Sequence, residues 1–256
     1  MTAKAVVAIA SVSVALASAG CLSFYEIPVE TPIQAKIDVT AFQRVLIAGF
    51  LTGGVKNIDP NTETARLLRS QLRTKQDLKV IDADVLSLVD EVDKLRGAAQ
   101  APLPVAGTAD DARIKTEKDL QTYEKIFDDA DYWKKLGDEY DHPLIVTGSI
   151  IFTEVSKSGM VSRPRSTVDS TGREQFTSER VYSDQKGYAL VPKFVFIDGR
   201  TGAQLYTESY HEESLYSAQQ NTPALSSYFE MMDRLLPSFL NTLSTQKIKG
   251  TRVLLK

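Results

Sequence analysis

The stretch YALVPKFVFIDGRTGAQLYTESY, Tyr188 to Tyr210, decides the fold. An apolar run ends at Ile197, the segment DGRTG follows at Asp198 to Gly202, and a second run with aromatic and β-branched residues leads back. Two such runs joined by a short turn rich in Asp and Gly predict a β-hairpin. Upstream, HPLIVTGSIIFTEV, His142 to Val155, is a further long strand, with Gly148 where a bulge or a close backbone approach is expected.

Helices alternate with strands in the first half. RVLIAGF, Arg44 to Phe50, is a short continuous apolar run, as expected of a strand covered on both faces. Asp59 and Pro60 supply an N-cap and a first-turn proline for the helix TETARLLRSQLRT, with Ala65, Leu68 and Leu72 on one stripe and Arg66, Arg69 and Arg73 on another. KVIDAD, Lys79 to Asp84, predicts a second strand, and Asp84 a cap for the helix VLSLVDEVDKL. Strand, helix, strand at this spacing predicts a parallel pair with a crossover helix. RGAAQAPLPVAGTADDA, Arg96 to Ala112, has the composition of a loop, and a charged helical region, broken once, covers Ile114 to Tyr140 with the only tryptophan, Trp133. A final helix within TPALSSYFEMMDRLLPSFLNTLST places Leu225, Phe229, Met232, Leu236 and Phe239 or Leu240 on its apolar stripe, with a kink expected at Pro237. RVLLK is long enough to add a last strand. The expectation is an α/β fold, a mixed sheet flanked by helices.

Between the long strand and the hairpin lies Ser156 to Gly187, polar, mixed in charge and rich in Ser, Thr and Gly. It is expected to protrude as a hairpin or loop. As a functional element it docks a partner; as a bland one it is a solvated excursion, and the sequence does not choose between them. Its cations and aromatics, Arg163, Arg165, Arg173, Phe176 and Tyr182, are the candidate partner-binding residues.

The N-terminus says where the protein lives. MTAKAVVAIASVSVALA has a cation, Lys4, an apolar run from Ala5 to Ala17 and small residues beyond, the layout of an export signal over 1–20. The run is shorter than the roughly 20 apolar residues of a membrane span. LASAGC ends on Cys21, the only cysteine of the chain. Small residues leading directly into a lone cysteine resemble the lipobox of bacterial lipoproteins, which implies that Cys21 is acylated and becomes the first residue. Ser18 stands where that motif prefers leucine, and Leu16 lies two residues further back. Anchoring that resists dissociation takes more than one acyl chain, and a lipoprotein cysteine carries them. Leu22 after the cysteine, in place of an acidic residue, resembles lipoproteins sorted to the outer membrane and facing the periplasm. Residues 21–43 form the anchor and an arm: from Ile27 to Val39 the odd positions are Ile, Val, Thr, Ile, Ala, Ile and Val, a period of two. Pro28 and Pro32 restrict the arm to an edge strand or a wrapped segment, and it is expected to pack along a body formed by 44–256.

Charge and motifs narrow the function. A charged fraction of 25% with a net charge of −3 lacks the basic face that nucleic acid demands. The two histidines are His142, after the acidic helix end DEYD, where capping explains it, and His211, expected on one strand face with Ser209 and Glu213. One strand cannot converge those three into nucleophile, base and orienter. DDAD at Asp128 to Asp131 lacks the glycine and terminal Glu of a calcium loop. No glycine-rich phosphate loop, nucleophile elbow or paired zinc motif occurs, so neither an enzyme, nor a cofactor, nor a metal is expected.

The order of RVLIAGF, helix, KVIDAD, helix, LIVTGSIIF, the hairpin through FVFIDGRTGAQLY and a C-terminal helix resembles the CsgG-type lipoproteins, with relatives among LpoB-like and TolB N-terminal-like periplasmic domains. The resemblance covers Phe42 to Leu255 and implies an α/β fold similar to an anticodon-binding domain. It also implies two functions to weigh: a non-catalytic accessory factor acting through protein contacts, or a ring-forming secretion subunit. The second needs hairpins that alternate apolar and polar over about ten residues. KSGMVSRPRSTVDSTGREQFTSERV has no consistently apolar parity, and YTESYHEESLYSAQQN leaves little room for a second hairpin. The accessory role is the expectation, with a protein partner in the envelope and homo-oligomerisation left open.

Overall fold

The computed structural model describes residues 24–255 apart from 56, 76–77, 98–113, 115–116 and 169. The export signal, Cys21 and nearly all of the expected loop at Arg96 to Ala112 lie outside them. The described residues form a mixed α/β structure. Its elements in order are β1 (Phe24–Ile33), β2 (Arg44–Gly54), α1 (Pro60–Lys75), β3 (Lys79–Val80), α2 (Leu88–Gly97), α3 (Glu117–Tyr123), a 3₁₀ turn (Glu124–Asp128), α4 (Ala130–Glu139), β4 (Leu144–Val168), β5 (Glu174–Asp198), β6 (Gln204–Ser209), β7 (Glu212–Ser217), α5 (Ala224–Leu243) and β8 (Gln246–Leu255).

The six strands β2 to β7 make one open sheet, ordered β3-β2-β4-β5-β6, with β7 also pairing β5. β2 runs parallel to β3 and β4, and the rest is antiparallel. The expected crossover helix is α1. Asp59 caps it, accepting from the Asn61 and Thr62 N–H groups at 3.1 and 3.3 Å, ahead of Pro60 at the first position. The DGRTG turn closes as predicted. Asp198 accepts from the Arg200 N–H at 2.9 Å and the Thr201 hydroxyl at 3.0 Å, and Gly202 takes a φ of +74°.

Alternation along the strands builds two cores. Val45, Ile47, Val146, Phe152, Phe194 and Phe196 face one side, against Ala65, Leu68 and Leu72 of α1 and Tyr228, Met232 and Phe239 of α5. Leu46, Ala48, Ile145, Val195 and Ile197 face the other, against Leu88, Val92, Phe127 and Trp133. A sheet covered on both faces explains why RVLIAGF is apolar throughout. Gly148 sits at the close approach expected of it: its φ is +148°, and a Cβ there would lie 1.8 Å from the Lys193 carbonyl oxygen.

Three local expectations shift. β3 is only Lys79–Val80, not the whole of KVIDAD. α2 begins at Leu88 instead of Val85, because the Leu86 N–H bonds the Ala48 carbonyl at 2.7 Å and the Asn61 amide takes the Leu86 carbonyl at 3.0 Å. In α5 Leu225 is exposed and Phe229 half-buried, while Tyr228, Met231 and Leu235 join Met232, Leu236, Phe239 and Leu240 inside. Two overlapping apolar stripes share that helix, and packing selects the rotation between them. The break expected in the charged region of 114–140 falls at Asp129, whose carboxylate caps α4 by accepting the Tyr132 N–H at 3.1 Å.

The described part of the arm is shared between two units. By its contacts the chain divides into Lys36–Ser244 and a second unit that holds β1 and β8. In that unit β1 pairs antiparallel with β8 over ten residues, from Phe24 with Leu255 to Ile33 with Gln246. Ile27, Val29 and Ile33 of the period-two stripe are exposed. Ile37 is buried, and the Lys36 and Ile37 N–H groups both bond the Thr242 carbonyl at 3.1 Å.

Candidate functional site

Ser156 to Gly187 forms the outer part of the β4–β5 ladder, which pairs without interruption from Leu144 with Asp198 to Val168 with Glu174. β7 reaches only to Gln185, so beyond Lys157 and Gln185 two strands continue alone. At about 3.3 Å per residue that two-stranded part is some 40 Å long. Burial changes where the ribbon leaves the sheet: Leu144 to Phe152 are buried, and from Lys157 onward nearly every residue is exposed.

The ribbon is anchored at its root. Lys157 Nζ meets the Glu213 carboxylate of β7 at 2.7 Å. The Tyr216 hydroxyl of β7 donates to Glu230 of α5 at 2.9 Å, and Arg234 ties Glu212 and Glu230 together at 3.1 and 2.9 Å. Below them Phe152 stacks on Tyr188 with centroids 5.0 Å apart and meets Tyr228 edge-on at 5.3 Å. Burial pushes the Tyr188 and Tyr228 phenols up, which keeps them neutral packing groups. An open cleft of about 490 Å³ lies against this root, lined by Glu154, Ser156, Lys186, Tyr188, Tyr216 and Asn221 among others.

Register divides the candidate residues between two faces, because directly opposed residues share a side. Met160 stands opposite Tyr182, and Phe176 opposite Ser166. These even-numbered positions, with Pro164 and Val168, make the more apolar face, on which Met160, Val168, Phe176 and Tyr182 are 63, 65, 75 and 64% exposed; the same face also carries Glu174, Arg180 and Asp184. Arg163 and Arg165 occupy the opposite face. Arg163 stands across from Glu179, and Arg165 Nη1 reaches the same carboxylate at 3.2 Å. Val161 and Val181 pair on that second face. Arg173 precedes β5 in the connecting turn, beside Gly172 at a φ of +82°. The structure therefore brings Phe176 and Tyr182 to one face, Arg163 and Arg165 to the other, and leaves Arg173 at the tip. Sequence reasoning did not single out Met160, Val161, Val168 or Val181. The signal that finds them is the antiparallel register, which turns two polar-looking segments into one sided surface.

The histidines are placed apart from one another. The His142 N–H bonds the Gly137 carbonyl at 2.8 Å, and its Nδ1 lies 3.3 Å from Asp138, at the end of α4. His211 is not on a strand face with Ser209 and Glu213: it lies between β6 and β7, which pair with different stretches of β5. Among the described residues no three His, Cys, Asp or Glu side chains gather to hold a metal.

No family model matches this chain, and no curated protein does. Among solved structures it is similar to the lipoprotein GNA1162 from Neisseria meningitidis. The two share 11% identity with a TM-score of 0.31, over 77% of this chain and 98% of that one. The likeness to CsgG-type lipoproteins thus rests on the order of elements and the hairpin through FVFIDGRTGAQLY alone. No helix among the described residues is long and apolar enough to cross a membrane.

Proposed function

We propose that this chain is a non-catalytic lipoprotein of the bacterial envelope, acylated at Cys21, that works by presenting the β4–β5 ribbon to a protein partner. The observation that carries this reading is the sided ribbon. A two-stranded element exposes Met160, Tyr182, Phe176 and Val168 on one face and is braced at its root by Lys157–Glu213. Exposed aromatic and Met side chains in one surface are typical of interface anchors. Isolated apolar side chains on a surface need no explanation, but four on one side of a narrow ribbon do. The outer membrane, facing the periplasm, is the location proposed, from Cys21 followed by Leu22.

A secretion-ring subunit of the CsgG type is the second reading, favoured by the length of the ribbon itself. Against it, the more apolar face carries Ser156, Ser158, Ser162 and Ser166 between its apolar residues, and a lipid-facing strand needs about ten alternating positions. β6 and β7, six residues each, both lie along β5 and supply no second protruding hairpin. The native mass of the protein, purified in mild detergent, separates the two. A monomer or dimer is expected, and a discrete ring of many copies overturns the accessory role in favour of the channel.

A further inference from the structure

We infer that the β1–β8 ribbon lies on a lipid surface, with Tyr25, Ile27, Val29 and Ile33 turned into the membrane interface; this rests on the reading of Cys21 as acylated. β1 reads FYEIPVETPI, and its odd positions Tyr25, Ile27, Val29 and Ile33 are 67, 36, 40 and 44% exposed. The even positions carry Glu26, Pro28, Glu30 and Pro32. On β1 one face is thus apolar apart from Thr31 and the other holds both carboxylates, while β8 adds Arg252 to the first face and Val253 to the second. Across the ladder Arg252 stands opposite Ile27 and Gly250 opposite Val29, while Lys249 on the acidic side reaches Glu30 at 3.7 Å. A two-stranded ribbon with one apolar face is marginal in water without something covering it.

Three observations choose lipid as the cover. First, β1 starts three residues after Cys21, and three residues reach about 10 Å. An acylated Cys21 therefore holds the start of the stripe at headgroup depth, with Tyr25, the residue type that favours that depth, nearest the anchor. Second, β8 reads QKIKGTRVLL, three cations and no acid against the two acids of β1, and of the three it is Arg252, opposite Ile27, that falls on the same face as the apolar stripe. That local excess suits an anionic leaflet. Third, a strand accepts proline only where the missing N–H faces outward, and Pro28 and Pro32 fall on the same parity. The free edge of β1 therefore lacks two donors, which disfavours a strand from a second copy adding there.

The test uses the fact that Cys21 is the only cysteine: in the acylated chain an introduced cysteine is the single free thiol. Val29→Cys, on the stripe, and Thr251→Cys, on the opposite side, are each labelled with an environment-sensitive fluorophore in the full acylated protein. Each is then bound to vesicles of phosphatidylethanolamine and phosphatidylglycerol. The expected result is a blue shift and severalfold protection from an aqueous quencher at the Val29 position and neither at Thr251. In the Cys21→Ser background, residual partition onto the same vesicles is expected to fall about tenfold or more with Ile27→Asp. Equal quenching at both positions while the protein sediments with vesicles overturns the inference and leaves the anchor intact. Protection at Val29 that persists without vesicles and disappears on dilution assigns the stripe to a second copy and also overturns it. If the wild-type protein carries no acyl group, the anchor reading fails, and the Cys21→Ser partition with and without Ile27→Asp still decides the ribbon.

Discussion

Met160 stands directly across the β4–β5 ladder from Tyr182, and both side chains are nearly two-thirds exposed, at 63 and 64%. A cross-strand Met–aromatic pair is ordinarily a buried contact. Here it lies on a two-stranded ribbon that no other element of the sheet covers, between a braced root and an aromatic tip at Phe176.

Tyr182→Ala and Phe176→Ala are expected to weaken partner binding while leaving the fold alone. Truncating a buried aromatic anchor in an interface costs about 2 kcal/mol or more, some thirtyfold in affinity. Both side chains are largely exposed, at 64 and 75%, so thermal unfolding should stay within about 2 °C of wild type. A large drop in Tm would mean that the ribbon contributes to the core.

Gly148→Ala should be severely destabilising. The φ of +148° is unfavourable for a side chain, and the added Cβ would sit 1.8 Å from the Lys193 carbonyl, a backbone atom in the next strand. A loss of about 3 kcal/mol or more is expected from chemical denaturation. A change under about 1 kcal/mol would show that β4 and β5 are further apart at this point than described.

Trp133→Phe removes the bond from the indole Nε1 to the Ile126 carbonyl at 2.7 Å and opens space in a fully buried site. The Ile126 carbonyl keeps the Asp129 N–H at 3.2 Å, so the expected cost, about 2 kcal/mol, comes from one lost hydrogen bond and a small cavity. Urea unfolding followed by circular dichroism reads it without the lost fluorophore.

Glu208 gives a pH dependence. Burial works against its charge, but bonds from Lys36 and from Thr242, the latter at 2.9 Å, outweigh it and hold the carboxyl below its ordinary value of 4.5. A carboxyl lowered in the folded state stabilises above its unfolded value, and the stabilisation disappears as pH falls through the folded value. Glu208→Gln should therefore be less stable than wild type at pH 7, by about 1 kcal/mol, with the difference closing as the pH drops below 4.5. A gap that stays constant down to pH 3 would rule this out.

What was legible in the sequence were the features with local causes. Asp198 and Gly202 impose their turn, Asp59 and Pro60 start α1, and the unbroken apolar run of β2 announces cover on both faces. Features settled by distant partners were not. The pairing of β1 with β8 joins the two ends of the chain and leaves no mark in either strand. Which of two stripes α5 buries depends on the sheet beneath it, so Leu225 was misplaced and Tyr228 overlooked. The candidate site follows the same rule. Arg163, Arg165, Phe176 and Tyr182 stand out by residue type, but Met160 and Val168 join Phe176 and Tyr182 only through the register that aligns Val168 with Glu174.

The most direct test of the account is photo-crosslinking in the native host, with a photoreactive residue replacing Phe176 in the membrane-anchored protein and a matched one replacing Arg163 on the opposite face. The account predicts a discrete adduct with another envelope protein from the Phe176 position, weak or absent at Arg163. Adducts from neither position, or adducts at Phe176 with lipid alone, would contradict it.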